Sequence, residues 1–134
     1  MSQASLIDDE VERVSALAVL RALRSLRIIR AGQDEEILKQ TIAQMMVQRG
    51  LPARCEYSFG PRCRADIWSD GIVIEVKKKR PVLADLLTQV TRYALQPSCR
   101  EIIVVLERSV VLPGEIEGKR ISTLSLNSLW GVAL

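Results

Sequence analysis

A short hairpin signal constrains the middle of the chain more than any other feature. Residues 64–79, RADIWSDGIVIEVKKK, alternate polar and apolar side chains on both sides of Asp70-Gly71. This dipeptide favours a two-residue turn between antiparallel strands, so it fixes which residues pair. Counting outward from the turn places Asp66 opposite Glu75. Because the side-chain period of a strand is two, we expect Asp66, Glu75 and Lys77 on one face of the sheet.

Two carboxylates that face each other on adjacent strands repel unless a positive charge lies between them. Their Cβ atoms are expected roughly 5 Å apart. A hard divalent cation suits such a pair, since Mg²⁺ takes oxygen ligands and is often held by one or two carboxylates with waters and phosphates. The ammonium of Lys77 is the second candidate. It would make the patch an exposed cross-strand salt bridge, worth about 0 to 1 kcal/mol.

Composition limits the chemistry that this patch could perform. The 134 residues carry a formal net charge of +3, which permits a polyanionic partner without requiring one. There is no histidine, and Cys55, Cys63 and Cys99 lack the C-x-x-C spacing of a zinc site. We expect no small-molecule cofactor, and catalysis would have to use carboxylates, lysine, hydroxyl groups or a bound metal.

The sequence predicts a cytoplasmic protein with no membrane partner. Residues 8–10 are acidic, whereas a signal peptide opens with a basic segment and an apolar core. The leucine-rich stretch at residues 17–29 is interrupted by three arginines, so it is not a membrane span.

The predicted order of elements is helix, helix, strand, strand, strand, helix, strand, strand. Residues 7–30 read as one long helix, with acidic first turns and basic last turns that complement its dipole. It is either a packing helix or a dimer-forming one. Asp34 suits the N-cap of a second helix, and a third begins near Pro81.

The remaining segments predict strands. Residues 53–59 and 64–68 form the first two, and the third follows the Asp70-Gly71 turn. Five successive aliphatic residues at positions 102–106 indicate a strand buried on both sides. A loop over residues 113–118 then leads to a last strand at residues 120–126. The pattern predicts one α/β domain over residues 1–134, with a helical extension at 1–32 and a core at 33–134.

The spacing of the hairpin residues resembles a known signature. Asp66 followed by Glu75-Val76-Lys77 is similar to the motif of the PD-(D/E)XK nucleases, the restriction-endonuclease-like superfamily. That superfamily includes archaeal Holliday junction resolvases and recombination exonucleases. The similarity covers about residues 34–106, with helices and strands in the family order. Ala65 departs from it, because the name-giving motif has proline there.

Two further motifs extend the resemblance. Glu35 matches the acidic residue of the family's preceding helix better than Glu36 does, since apolar residues follow Glu35 at i+3 and i+7. Residues 89–93, QVTRY, resemble the Q-x-x-x-Y motif of the exonuclease-type members. The resemblance therefore implies a restriction-endonuclease-like core, a mixed central β-sheet flanked by helices, with the long N-terminal helix as an addition.

The activity implied by the resemblance is Mg²⁺-dependent hydrolysis of DNA, with Mn²⁺ able to substitute. Asp66 and Glu75 would be direct metal ligands, the backbone carbonyl of Val76 a third, and Glu35 a ligand through water. Lys77 would orient the attacking water or stabilise the charge that develops beside it.

Substrate contacts are expected around this centre. Gln89 and Tyr93 would contact the phosphate backbone or a flanking base, and Tyr93 could stack on a base. The expected phosphate-neutralising residues are Lys78, Lys79, Arg80 and Arg92, and Arg64 is expected to approach the substrate phosphate. A chain this small favours an endonuclease that reads DNA structure instead of a long sequence, and a homodimer formed by the first helix would supply a second active site.

Two other function classes stay open from the sequence. The first is a nucleic-acid-binding module that has the fold and the charge but no turnover. The second is an interaction protein in which residues 7–30 bind a partner and the Asp66 patch has no role.

Overall fold

The computed structural model of the chain describes residues 13–26, 34–108 and 110–126. Within these residues, three helices flank a mixed six-stranded sheet. The helices are α1 (Ala16–Ser25), α2 (Glu35–Gln48) and α3 (Leu83–Ala94). The strands are β1 (Arg54–Gly60), β2 (Cys63–Ser69), β3 (Ile72–Lys77), β4 (Glu101–Leu106), β5 (Glu115–Ile116) and β6 (Lys119–Ser125).

The sheet combines antiparallel and parallel pairing. Its strand order is β1-β2-β3-β4-β6-β5. The pairs β1–β2, β2–β3 and β5–β6 are antiparallel, whereas β3–β4 and β4–β6 are parallel. The aliphatic run on β4 is buried throughout, as predicted. The α/β class and the mixed, helix-flanked sheet are therefore confirmed.

Apolar side chains cover both faces of the sheet. On one face, α1 and α2 contribute residues such as Leu23 and Ile42, which pack on Ile74 and Ile103. On the other face, α3 packs Leu86, Val90 and Tyr93 against Val73, Ile102 and Val104. The alternation of β3 and β4 between these two clusters explains why both strands are almost wholly apolar.

The first helix is shorter than the sequence predicted. Ser15 is extended, with φ −88° and ψ 130°, and its hydroxyl accepts a hydrogen bond from the Ala18 N–H at 3.4 Å. Leu26 is again extended and ends α1. The prediction of one continuous helix over residues 7–30 is thus wrong, because the Ser15 cap starts the helix locally. Residues 7–12 and 27–30 lie outside the described part of the chain.

The second helix begins where the sequence indicated. The Asp34 carboxylate accepts a hydrogen bond from the Ile37 N–H at 2.8 Å, which makes it the N-cap of α2. At the other end of the chain, the predicted loop over residues 113–118 contains β5. Glu117 and Gly118, both with positive φ, turn β5 back onto β6.

No helix in the described ranges is both long enough and apolar enough to cross a membrane.

Candidate active site

The β2–β3 hairpin has the register that the sequence predicted. Ser69 pairs with Ile72, and the pairing continues to Ile67 with Ile74. Asp70 and Gly71 have φ values of 49° and 91°, the left-handed conformation that a tight hairpin turn needs. One step further along this register brings Asp66 opposite Glu75.

The two strands are joined by side chains at that step. The Asp66 N–H donates to Glu75 Oε1 at 3.0 Å, and the Val76 N–H donates to Asp66 Oδ2 at 2.8 Å. Each carboxylate therefore accepts a main-chain hydrogen bond from the opposite strand. The other oxygen of each carboxylate lies next to a lysine ammonium. Asp66 Oδ1 lies next to Lys39, and Glu75 Oε2 lies next to Lys77.

The alternation of β2 is interrupted at Asp66. Ala65 packs in the cluster under α3, whereas Ile67 packs in the cluster under α1 and α2, although both positions are odd. Glu56, opposite Asp66 on β1, has a φ of 52°. The Asp66 side chain consequently turns toward α2, while Glu75 follows the regular alternation of β3. The expectation of one shared face therefore needs correction for Asp66, whose carboxylate contacts Lys39 on α2 and the Val76 N–H.

A lysine that the sequence reasoning missed lies among the acids. Lys39 Nζ on α2 is 3.1 Å from Asp66 Oδ1, 3.5 Å from Glu56 Oε1, and 3.8 Å from both Glu35 Oε2 and Glu36 Oε2. Its side chain is 13% exposed. Burial lowers the pKa of Lys39, but the bond to Asp66 and the charges of Asp66, Glu56 and Glu35 raise it above its ordinary value.

The four carboxylates around this lysine and the adjacent Glu75 form one group on three strands and a helix. We call them the acidic cluster: Glu35, Glu36, Glu56, Asp66 and Glu75. Lys39 follows Glu35 at i+4, a spacing that could have indicated their proximity. Glu56 gave no sequence signal, because its place depends on the irregular backbone of β1.

Glu75 is the most buried member of the acidic cluster, at 1% exposure. Burial and the adjacent charge of Asp66 raise the pKa of Glu75 to about 8, while Lys77 acts in the opposite direction. Lys77 Nζ lies 3.7 Å from Glu75 Oε2. A carboxyl group in this position is stabilised as an anion only if more positive charge arrives.

Glu35 lies close to the end of β3, beside the hairpin carboxylates. Its Oε1 accepts a hydrogen bond from the Lys78 N–H at 3.1 Å, and its Oε2 faces Lys39. The structure thus brings Glu35 together with Asp66 and Lys77. Glu36, the alternative helix acid, is more exposed. Among the described residues, its carboxylate pairs with Lys39 at 3.8 Å.

The predicted Gln89–Tyr93 pair is formed, but the tyrosine is buried. Gln89 Nε2 donates to Tyr93 Oη at 3.0 Å, and Tyr93 Oη donates to the Arg64 carbonyl at 2.8 Å. The Tyr93 ring is 2% exposed and contacts Phe59 edge-on. The expectation that Tyr93 stacks on a base is therefore wrong, since the ring holds α3 against β2. Gln89 is half-buried.

The predicted phosphate-binding residues have different surroundings. Arg64 is exposed, and its Nε lies 3.3 Å from Glu56 Oε2. Arg92 Nε donates to the Arg62 carbonyl at 2.9 Å. Lys78 and Lys79 belong to a basic run that lines a cavity of about 670 Å³. The cavity is lined by Asp34, Glu35, Lys77, Lys78, Lys79, Arg80, Pro81 and Glu107.

A divalent ion such as Mg²⁺ needs oxygen donors placed around one point. In the described ranges, no group of three or more His, Cys, Asp or Glu side chains is arranged to hold a metal ion. Asp66 Oδ1 and Glu75 Oε2 nevertheless match the two carboxylate ligands typical of Mg²⁺, which retains several waters. The fit requires Lys39 to move away from Asp66, because its ammonium contacts that oxygen.

Comparison of the chain with protein-family models, with curated proteins and with solved structures finds no significant match.

Proposed function

We propose that this protein is a metal-dependent DNA nuclease with a restriction-endonuclease-like core. The observation that carries the proposal is the pair of carboxylates at the open end of the β2–β3 hairpin. Asp66 and Glu75 each accept a main-chain hydrogen bond and aim the other oxygen at an ammonium group. Two carboxylates so close together are suited to a cation with more than one positive charge.

In this proposal Asp66, Glu75 and the backbone carbonyl of Val76 would hold Mg²⁺, or Mn²⁺ in its place, and Glu35 would act through water. When bound, the ion would supply positive charge beside the scissile phosphate and make a water more nucleophilic. The main-chain hydrogen bonds to Asp66 and Glu75 keep both carboxylates oriented without the ion. Lys77 is near enough to Glu75 to orient the attacking water and to donate to the charge that develops on the phosphate.

DNA is the proposed substrate, because positive charge adjoins the acidic cluster. The cavity beside Glu35 is lined by the basic run from Lys77 to Arg80. Gln89, Arg64 and Arg92 would supply further charge and hydrogen-bonding groups to the substrate in this proposal. We further propose an endonuclease that acts on DNA structure and works as a homodimer, which light scattering with and without DNA would test.

One observation favours a second candidate, a DNA-binding module without turnover. The ammonium of Lys39 already neutralises Asp66 at 3.1 Å, so the acidic cluster is also consistent with a salt-bridge network that needs no metal. In that case the basic run would still bind phosphates.

A cleavage panel separates the two candidates. Wild-type protein is incubated with branched, single-stranded and duplex DNA in Mg²⁺, Mn²⁺ or EDTA. The nuclease proposal expects cleavage only with a divalent ion, lost in Glu75→Gln and retained in Glu115→Gln. Glu115 is an exposed acid on β5, at the far edge of the sheet. Binding without cleavage in every condition would favour the second candidate.

A further inference from the structure

Lys39 occupies the position that a metal ion would need. Its ammonium is 3.1 Å from Asp66 Oδ1, the oxygen of that carboxylate not used by the Val76 N–H. The side chain is mostly buried and is held on a regular helix, so this contact does not depend on a loose surface side chain.

We propose that Lys39 is a built-in competitor of the divalent cation, which holds Asp66 in the metal-free protein and is displaced when the ion binds. The inference rests on the proposed function, since it assumes that Asp66 is a metal ligand. Its consequence is that Lys39 sets the cation concentration at which the protein becomes active.

Competition follows from the limited number of oxygens. Asp66 Oδ2 accepts the Val76 N–H and Glu75 Oε1 accepts the Asp66 N–H, so Oδ1 is the Asp66 oxygen available to a metal. An ammonium at Oδ1 repels a divalent ion that approaches the same oxygen, so the two cations compete for it. Lys77 also faces a proposed ligand oxygen, Glu75 Oε2, but at 3.7 Å, whereas Lys39 makes the closer contact at 3.1 Å.

The surroundings of Lys39 provide an alternative position. Glu56 and Glu36 are within 3.5 and 3.8 Å of Nζ, so a small rotation of the flexible stem moves the ammonium from Asp66 toward them. The displaced lysine would then neutralise the outer acids while the ion neutralises the inner pair. The acidic cluster therefore has enough negative charge for both cations.

The test measures Mn²⁺ binding by calorimetry in the full chain. Lys39→Met removes the ammonium and keeps the apolar stem, and we expect Mn²⁺ to bind at least about tenfold more tightly. Arg49→Met is the matched control, because it removes one charge from an exposed side chain at the other end of α2. We expect the control to change the affinity by less than about threefold, since exposed charges are well screened.

A second readout guards against poor folding of the methionine variant. Lys39→Arg keeps the charge and the fold, and its Mn²⁺ affinity should equal or fall below that of the wild type. In EDTA, Lys39→Met should melt at a lower temperature than the wild type, and Mn²⁺ should raise its melting temperature by more. The inference is supported most strongly if Lys39→Met binds Mn²⁺ more tightly than both the wild type and Lys39→Arg.

The outcomes distinguish this inference from the proposed function. If the wild type binds Mn²⁺, Glu75→Gln does not, and Lys39→Met binds with wild-type or weaker affinity, the competitor role is refuted and the metal site stands. If no variant binds Mn²⁺, both proposals are overturned.

Discussion

The two ends of the β2–β3 hairpin each carry an aspartate, but the charges around them differ. At the turn, Asp70 Oδ2 accepts the Val14 N–H at 2.9 Å, and Arg100 Nη2 and Arg13 Nε lie 3.3 and 3.4 Å away. At the open end, Lys39 lies among Glu35, Glu36, Glu56 and Asp66, and Glu75 faces Lys77. Positive charge exceeds negative charge at the turn, and the reverse holds at the open end.

Aspartate therefore has two different roles in the β2–β3 hairpin. Asp70 connects the turn to the segment before α1, because Arg100 also donates to the Asp70 and Val14 carbonyls at 2.8 and 2.6 Å. Its charge is satisfied within the protein. The acidic cluster retains unbalanced negative charge, which is a reason to look for an external cation there and not at the turn.

The largest expected effect is on cleavage. Asp66→Ala should reduce the Mg²⁺-dependent cleavage rate by about a thousandfold or more, as removal of a group that stabilises the transition state does. Asp70→Ala, the matched change four residues away, should leave the rate within about threefold. Single-turnover cleavage of the preferred DNA by both variants measures the difference. Equal losses would show that both aspartates act only through the fold.

The next effect is on stability. Asp70→Ala leaves the Val14 N–H without its acceptor and removes a partner of Arg100, so the free energy of unfolding should fall by about 1 to 3 kcal/mol. Urea unfolding followed by tryptophan fluorescence measures it, with Glu115→Gln as an exposed-acid control. A loss as small as that of the control would show that the Asp70 contacts at the turn contribute nothing to stability.

The pH dependence of stability distinguishes the two ends of the hairpin in the absence of metal. Because the pKa of Glu75 rises from 4.5 to about 8 on folding, protonated Glu75 stabilises the protein fully below the unfolded pKa. This contribution is lost as pH rises toward about 8, since the unfolded chain releases the proton first. In EDTA the melting temperature should fall over this range, less so in Glu75→Gln. The same decline in wild type and Glu75→Gln would assign it to other groups.

The smallest expected effect concerns DNA affinity. Lys79→Ala removes one exposed charge from the basic run, so the slope of log affinity against log salt should fall by about one unit. Arg13→Ala removes a charge that already faces Asp70 and should leave the slope unchanged. Fluorescence anisotropy at several salt concentrations provides the slopes. A larger change for Arg13→Ala would place the DNA at the turn.

Features governed by local sequence could be predicted. The Asp70-Gly71 turn determined the hairpin register, Asp34 marked the start of α2, and the aliphatic run identified the buried strand β4. These depend on neighbouring residues or on simple periodicity. The spacing of apolar residues on α2 also indicated that Glu35 lies near the hairpin. Glu35 is at one end of the helix face that packs on the sheet.

Features governed by irregular backbone or tertiary packing could not be predicted from the sequence. Periodicity gave no sign that Asp66 would turn toward α2, because the interruption accompanies the positive φ of Glu56 on the adjacent strand. Lys39 was missed for the same reason, since its role depends on where Asp66 points. Tyr93 was expected to be able to stack on a base, yet its ring is buried, and its hydroxyl donates to the Arg64 carbonyl, which offsets the cost of burying the polar group.

The short connection between the two hairpin carboxylates also affects how the molecule assembles. Asp66 and Glu75 are 9 residues apart, whereas the Glu35 to Lys78 contact spans 43 residues. Hairpins close in about 1 to 10 μs, and long-range contacts form more slowly because their loop entropy is larger. We therefore expect the nascent hairpin to bring its two acids together, with Lys77 beside Glu75, before α2 delivers Lys39. Docking of that helix adds the counter-charge at Asp66, and so couples completion of the core to relief of repulsion at the open end.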